Sequence, residues 1–154
     1  DYLDVPLVHL LEPMFFDEHP EGYQPIKSTA SEHPWYFPAA VTRPQLHAQP
    51  QTEGYKRLVL DTQAHIPTME ISYLGLSPDV EARFARNTAS RILAVTQGSG
   101  QARIGGRDMR WKRGDVMAIP SWVDYSLVAS EPAEMLEVND RPTLEKLGFY
   151  REAN

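Results

Sequence analysis

The chain has no cysteine. That excludes disulfides, thiolate metal sites and thiol nucleophiles, and it fits a cytoplasmic protein. Positive charge is scarce: 15 Lys and Arg face 21 Asp and Glu, a formal net charge of −6. Nucleic-acid binding needs a basic surface to meet phosphates, so that class is excluded. No run of four Lys or Arg offers a membrane anchor. The longest uncharged stretch, Ile92 to Ala102, is about half of what a membrane span needs. The sequence opens at Asp1 rather than Met, without a signal-peptide pattern. The expectation is a fragment or the ordered part of a longer chain, with processing or tag removal as the alternative.

What is present is a globular composition, 42% hydrophobic and 23% charged over 154 residues, enough for one domain with a real core. Two regions differ in texture. Residues 1–56 hold most of the 13 prolines, with Phe15, Phe16, Tyr23, Trp35, Tyr36 and Phe37 among them. Frequent proline forbids long helices and central strands, and dense aromatics seek burial. This region reads as an arm packed on a barrel or on a neighbouring domain. Short helices are expected at Pro6–Leu11 and around Thr42–Ala48, the second with Thr42 as N-cap and Pro44 in its first turn.

From residue 57 to 154 the texture is strands and turns. Arg57–Asp61 is a short β run. Met69, Ile71 and Tyr73 alternate with polar or small residues, as do Val80, Ala82 and Phe84 with Glu81 and Arg83. Ile92–Val95 is continuously apolar, as in a core strand. Gly98-Ser99-Gly100 and Arg113-Gly114-Asp115 read as turns. Gly105-Gly106 suits a two-residue hairpin, whose central positions both need φ > 0. Met109 and Trp111 alternate with charges. Val116–Pro120, Tyr125–Ala129 and Ala133–Val138 complete the strands. A terminal helix is expected over Pro142–Gly148, with Asp140 as N-cap and Gly148 at its end. Eight or nine short strands at regular spacing point to an all-β sandwich or barrel.

Gly114 to Pro120 followed by Ser121-Trp122-Val123-Asp124-Tyr125 resembles the second cupin motif. Trp122 stands at its second glycine, Tyr125 at its histidine and Ala129 at its asparagine. Ala85 through Arg91, running on to Gly98, resembles the first motif. Ala85 and Asn87 fall at its two histidines, Arg91 at its glutamate and Gly98 at the closing glycine. The resemblance implies a cupin, a double-stranded β-helix or jelly-roll barrel, with a proline-rich N-terminal arm and a short C-terminal helix. Cupin metal sites use imidazoles and a carboxylate. Ala85 offers no donor, Asn87 a weak one, and Arg91 a repelling cation. Tyr125 would need a strongly lowered pKa. Ala85, Asn87, Arg91 and Tyr125 are therefore degenerate ligand positions that would line the barrel. No metal and no catalytic residue is expected in this chain.

Longer stretches narrow the likeness. Arg86 to Arg91, Val95 to Gly100, Gly114 to Trp122, Asn139-Asp140-Arg141-Pro142 and Leu147 to Glu152 resemble the C-terminal half of gentisate 1,2-dioxygenases, a group that includes salicylate and 1-hydroxy-2-naphthoate dioxygenases. Leu3 to Leu7 and Phe15-Phe16 resemble the segment that follows the first cupin there. The resemblance implies a two-cupin chain assembled as a homotetramer. Its N-terminal cupin would hold Fe(II) on histidines and cleave a small aromatic acid with O2. The C-terminal cupin would serve structure and assembly, so this half alone would be inactive. The alternative is a stand-alone, non-enzymatic cupin that binds a small carboxylic acid or a protein partner.

Other side chains read blandly. His9, His19, His33, His47 and His65 lack metal-ligand spacing. Arg91 could bind a carboxylate-bearing molecule, or pair with Asp124 or Glu137, or point outward. Glu134 and Glu137 read as a solvated face. Trp111 and Trp122 are amphipathic anchors, with packing the expected role for Trp122. The glycine pairs lack the lysine and helix of a phosphate loop.

Overall fold

The computed structural model describes residues 36–62 and 66–153. The expected helix at Pro6–Leu11 and the aromatics from Phe15 to Trp35 lie outside the described residues.

Two antiparallel sheets face one another across a single core. β1 (Tyr55–Val59), β2 (Glu70–Leu76), β9 (Ala133–Asn139), β4 (Arg91–Gln97) and β7 (Val116–Ile119) form one sheet in that order. β3 (Glu81–Phe84), β8 (Tyr125–Ala129), β5 (Ser99–Ile104) and β6 (Arg107–Lys112) form the other. Residue alternation explains which face is buried. Leu74, Leu93, Leu127 and Met135 point inward and are fully buried. They belong to one continuous apolar cluster that also includes Val95, Ala102, Trp111 and Ala129.

Turn chemistry sets the register. β5 and β6 pair from Ile104 and Arg107 outward, and both Gly105 (φ 54°) and Gly106 (φ 77°) adopt the left-handed conformation that the hairpin needs. Gly100 sits beneath the indole of Trp111, and a Cβ there would collide with that ring and with the Val128 carbonyl. The Trp111 Nε1 is buried without a hydrogen-bond partner.

The outer face of the five-stranded sheet is unusually apolar. One row across it runs Ile71, Val138, Ile92, Ala118, and the next runs Tyr73, Leu136, Ala94, Val116. The run Ile92–Val95, read as a core strand, is a strand with two different faces. Leu93 and Val95 face the core, while Ile92 is 51% exposed on the outer face. The outer face of the other sheet carries Glu81, Arg83, Arg103 and Arg110 instead.

Helix α1 (Ala39–Ala48) lies on the outer face of the five-stranded sheet, with Leu46 buried against Gly75 of β2. It starts earlier than expected. Pro38 is the N-cap, and Thr42 is a buried interior residue whose hydroxyl donates to the Pro38 carbonyl at 3.2 Å. Pro44 is consequently inside the helix rather than in its first turn. It leaves the exposed Ala40 carbonyl without its usual amide partner, which water can replace. Helix α2 (Arg141–Lys146) follows β9, and Asp140 is its N-cap without a side-chain cap bond. Asp140 instead accepts from the Ser90 amide at 2.9 Å. Gly148 ends the helix at φ 72° and donates its amide to the Glu145 carbonyl.

Candidate functional site: a polar end of the interior

The interior changes character along its strands. Reading across the inner face of the larger sheet, one row is Leu74, Met135, Val95, and the next is Ser72, Glu137, Leu93, Met117. The last is Glu70, Asn139, Arg91, Ile119. The opposite sheet closes this polar end with Phe84 and Tyr125, which pair across β3 and β8.

Glu137 is the hub. It is 1% exposed and sits in the same alternation as Met135, so the strand period alone drives it inward. Its Oε1 accepts from Asn139 Nδ2 at 3.0 Å, Arg57 Nη2 at 3.3 Å and Arg91 Nη1 at 3.5 Å. Arg57 also donates to Glu70 Oε1 at 2.6 Å and to Ser72 Oγ at 3.3 Å. Arg91 donates Nη2 to Asn87 Oδ1 at 2.7 Å and Nη1 to the Tyr125 hydroxyl at 3.3 Å. Arg91 thereby ties β4 to β9 in its own sheet and to β8 in the facing one.

The Tyr125 ring is stacked 4.3 Å from Phe84, which stacks at 4.5 Å on Tyr55. Burial pushes the Tyr125 phenol well above its usual range, reinforced by the Glu137 charge and opposed by Arg91. Burial lowers the Arg91 guanidinium, but Tyr125 and Glu137 outweigh it and hold Arg91 above its ordinary value. At neutral pH the site therefore holds a neutral phenol, a charged guanidinium and buried glutamate at its centre. A cavity of about 120 Å³ adjoins it, lined among others by Arg57, Asn87, Arg91, Glu137, Arg141 and Tyr150.

The structure brings Asn87, Arg91 and Tyr125 into direct contact. Ala85 lies at the rim, lining both this cavity and an open groove of about 690 Å³ beside Tyr125. These four side chains do not fit a metal ion. A guanidinium occupies the centre, the phenol is held in its protonated form, and the alanine supplies nothing. Among the described residues, no group of three His, Asp or Glu could hold an ion.

Two expectations are corrected. Glu134 and Glu137 are buried rather than solvated. Glu134 faces out of the core but is covered by α1, where Arg43 Nε donates to it at 2.9 Å and His47 Nε2 lies 3.3 Å away. Trp122 is 46% exposed rather than packed. Its φ of 62° is the left-handed value that the motif glycine would supply at this place, and its amide donates to the Asn87 carbonyl at 2.7 Å. His9, His19, His33 and His65 lie outside the described residues. Sequence reasoning missed Arg57, Ser72 and Asn139; the alternation that buries Leu74 and Met135 also carries Ser72 and Asn139 inward.

Over 95 residues the chain is 35% identical to gentisate 1,2 dioxygenase 1 of Aquipseudomonas alcaligenes, covering 61% of this chain and 27% of that protein. Over that stretch the chain is similar to a gentisate 1,2-dioxygenase. It is 30% identical over 94 residues to the 5-aminosalicylate 1,2-dioxygenase of a Comamonas species, covering 60% of this chain and 25% of that one. The chain thus spans about a quarter of the curated relatives it matches. No family model matches it.

The fold matches the salicylate 1,2-dioxygenase of Pseudoaminobacter salicylatoxidans, solved with gentisate, at a TM-score of 0.71 and 20% identity. That match covers 88% of this chain and 41% of the other. The plu4264 protein of Photorhabdus luminescens matches at a TM-score of 0.57 and 15% identity, over 66% of this chain and 89% of that one. No helix among the described residues is long and apolar enough to cross a membrane.

Proposed function

We propose that this chain is the C-terminal, metal-free cupin half of a gentisate-type ring-cleaving dioxygenase. In this reading a first cupin of the same protein holds Fe(II) and joins O2 to a small aromatic acid such as gentisate. This half, an arm over residues 1–56 and a barrel over 57–154, braces the catalytic cupin and contributes contacts to a homotetramer. The observation that carries it is the Arg91 network. The places where a cupin would present imidazoles and a carboxylate are filled by Ala85, Asn87, Arg91 and Tyr125. Arg91 donates to Asn87 and to Tyr125, and also to Glu137. Sequence similarity to a gentisate and a 5-aminosalicylate 1,2-dioxygenase supports the proposed reaction class.

The role of these residues is structural. Arg91 neutralises Glu137, fixes the Asn87 loop and holds the two sheets together through Tyr125. The test compares the isolated 154-residue chain with the full native gene product. The full product should bind iron and consume O2 with gentisate or a related hydroxybenzoate. The isolated chain should do neither, and its melting temperature should not move with Fe(II). Stoichiometric, tightly held iron on the folded isolated chain would overturn the reading.

A second reading rests on Arg57, Arg91 and Arg141 lining one cavity. A stand-alone cupin could use them to bind a small carboxylic acid. Titration calorimetry of the chain with benzoate and with acetate separates the two, since the structural role predicts no saturable heat.

A further inference from the structure

Beyond α2 the chain turns at Gly148 (φ 72°) and returns to the barrel as a short strap, Phe149 to Ala153, beside the loop of Arg86 to Thr88. The Thr88 amide donates to the Arg151 carbonyl and the Ala153 amide to the Arg86 carbonyl, both at 2.9 Å. One hydroxyl fastens this crossing from both sides. Thr88 Oγ1 donates to the Phe149 carbonyl at 3.1 Å and accepts from the Arg151 amide at 2.9 Å. Nearer the helix, the Arg141 guanidinium lies over the Tyr150 ring, 4.6 Å from its centroid.

The strap is part of the polar end. Tyr150 and Glu152 supply wall to the cavity of about 120 Å³ that Arg91 and Glu137 also line. Those two side chains are only 10% and 1% exposed. The strap itself is held lightly. It gives no side chain to the buried apolar cluster, and Phe149 is 61% exposed. Its side-chain hydrogen bonds, to Thr88 and among its own residues, lie in exposed surroundings. Such bonds exchange with water and contribute little net stability. Leu93 of β4 and Met135 of β9, by contrast, are fully buried in the core. Segments with few buried apolar contacts and exposed hydrogen bonds open locally, well below the free energy of global unfolding.

We propose that residues 149–153 are a lid on the Arg91 centre, hinged at Gly148 and latched by Thr88. Closed, the lid completes the cavity wall with Tyr150 and Glu152. Open, it admits water and small solutes to Arg91, Glu137 and Asn139 while both sheets stay intact. The hinge is apt because glycine moves between left-handed and other backbone conformations without a Cβ penalty. What passes must be small, since about four waters at about 30 Å³ each fill the space. The inference concerns access to the centre and holds under either functional reading of it.

Two readouts on the full 154-residue chain test it together. Amide hydrogen exchange reports the latch. The Thr88 and Ala153 amides should exchange about a hundredfold faster than those of Leu93 and Met135. Phenylglyoxal, an arginine-directed reagent, reports access, with Arg91 modification measured against exposed Arg110 by peptide mass. Thr88→Val keeps the side-chain shape and removes the latching hydroxyl. It should speed exchange at Ala153, whose own acceptor is untouched, and modification of Arg91 by the same factor, on the order of tenfold. Exchange at Leu93 and Met135 should not change. A chain ending at Gly148 should show Arg91 modification at least as fast. Strap amides that exchange as slowly as Leu93 and Met135 would overturn the proposal, because the strap would then open only with the barrel. So would an Arg91 rate that ignores both Thr88→Val and removal of the strap, which would mean that the strap does not control entry. In either case the dioxygenase reading would stand, because it rests on sequence similarity and the Arg91 network.

Discussion

The two ends of the interior are built from the same strands and behave as different materials. At one end Leu74, Leu93, Val95 and Met135 pack by shape, each replaceable by another hydrophobe of similar volume. At the other end, within two residues on each strand, Ser72, Arg91, Glu137 and Asn139 are held by partners whose removal leaves a buried charge. The apolar end contributes transfer free energy. The polar end contributes little net stability, because desolvation offsets its attraction. It nevertheless fixes how the two sheets are placed, since Arg91 reaches across to Tyr125.

The largest expected effect tests that asymmetry. Glu137→Ala should cost about 3–5 kcal/mol, because Arg57 and Arg91 lose their shared buried anion. Urea unfolding measures it. Leu93→Ala, at the boundary between the ends, should cost about 2–5 kcal/mol through cavity formation. A Glu137→Ala cost well below that of Leu93→Ala would mean that water already enters the polar end, and the contrast would fail.

Next is alkaline pH. The folded state holds Tyr125 neutral well above the ordinary phenol value of 10.0. The unfolded chain therefore loses that proton first. The stabilisation is complete below pH 10 and is lost as pH rises through 10 toward the folded value, by about 1.4 kcal/mol per pH unit. Tyr125→Phe should flatten this fall in a melting-temperature series. Part of the slope should remain, because burial also raises Tyr55 and Tyr150.

Trp122→Gly should stabilise the chain by about 1 kcal/mol, since a left-handed φ strains any residue with a Cβ. Chemical denaturation would register it. The smallest net change is expected from the double substitution Arg91→Met with Glu137→Met. It removes both charges together and leaves Arg57 paired with Glu70. Its stability should equal or exceed that of the natural sequence. A loss as large as that of Glu137→Ala would show that the network has value beyond charge neutralisation.

Much of the fold was legible because period-two alternation and glycine turns are local signals. Tyr125–Ala129 is a strand with the expected limits, and the Gly105-Gly106 hairpin has the expected conformation. The start of α1 was misread because Thr42 is a good N-cap type, yet Pro38 precedes a better run of alanines. Glu137 was misread because its charge was weighed above its alternation with Met135. Glu134 could not be read from β9 at all, since α1 covers it from a distant part of the chain. The exposed Trp122 was recognisable only through the glycine that the motif would place there.

One consequence of the Arg91 tie concerns supply. Where a metal holds a barrel together, folding waits on the ion, and a chelator can undo it. Here the cation that joins the sheets is encoded in the polypeptide and arrives with it. The two sheets can therefore be joined at this point as soon as the chain is made, whatever the supply of ions.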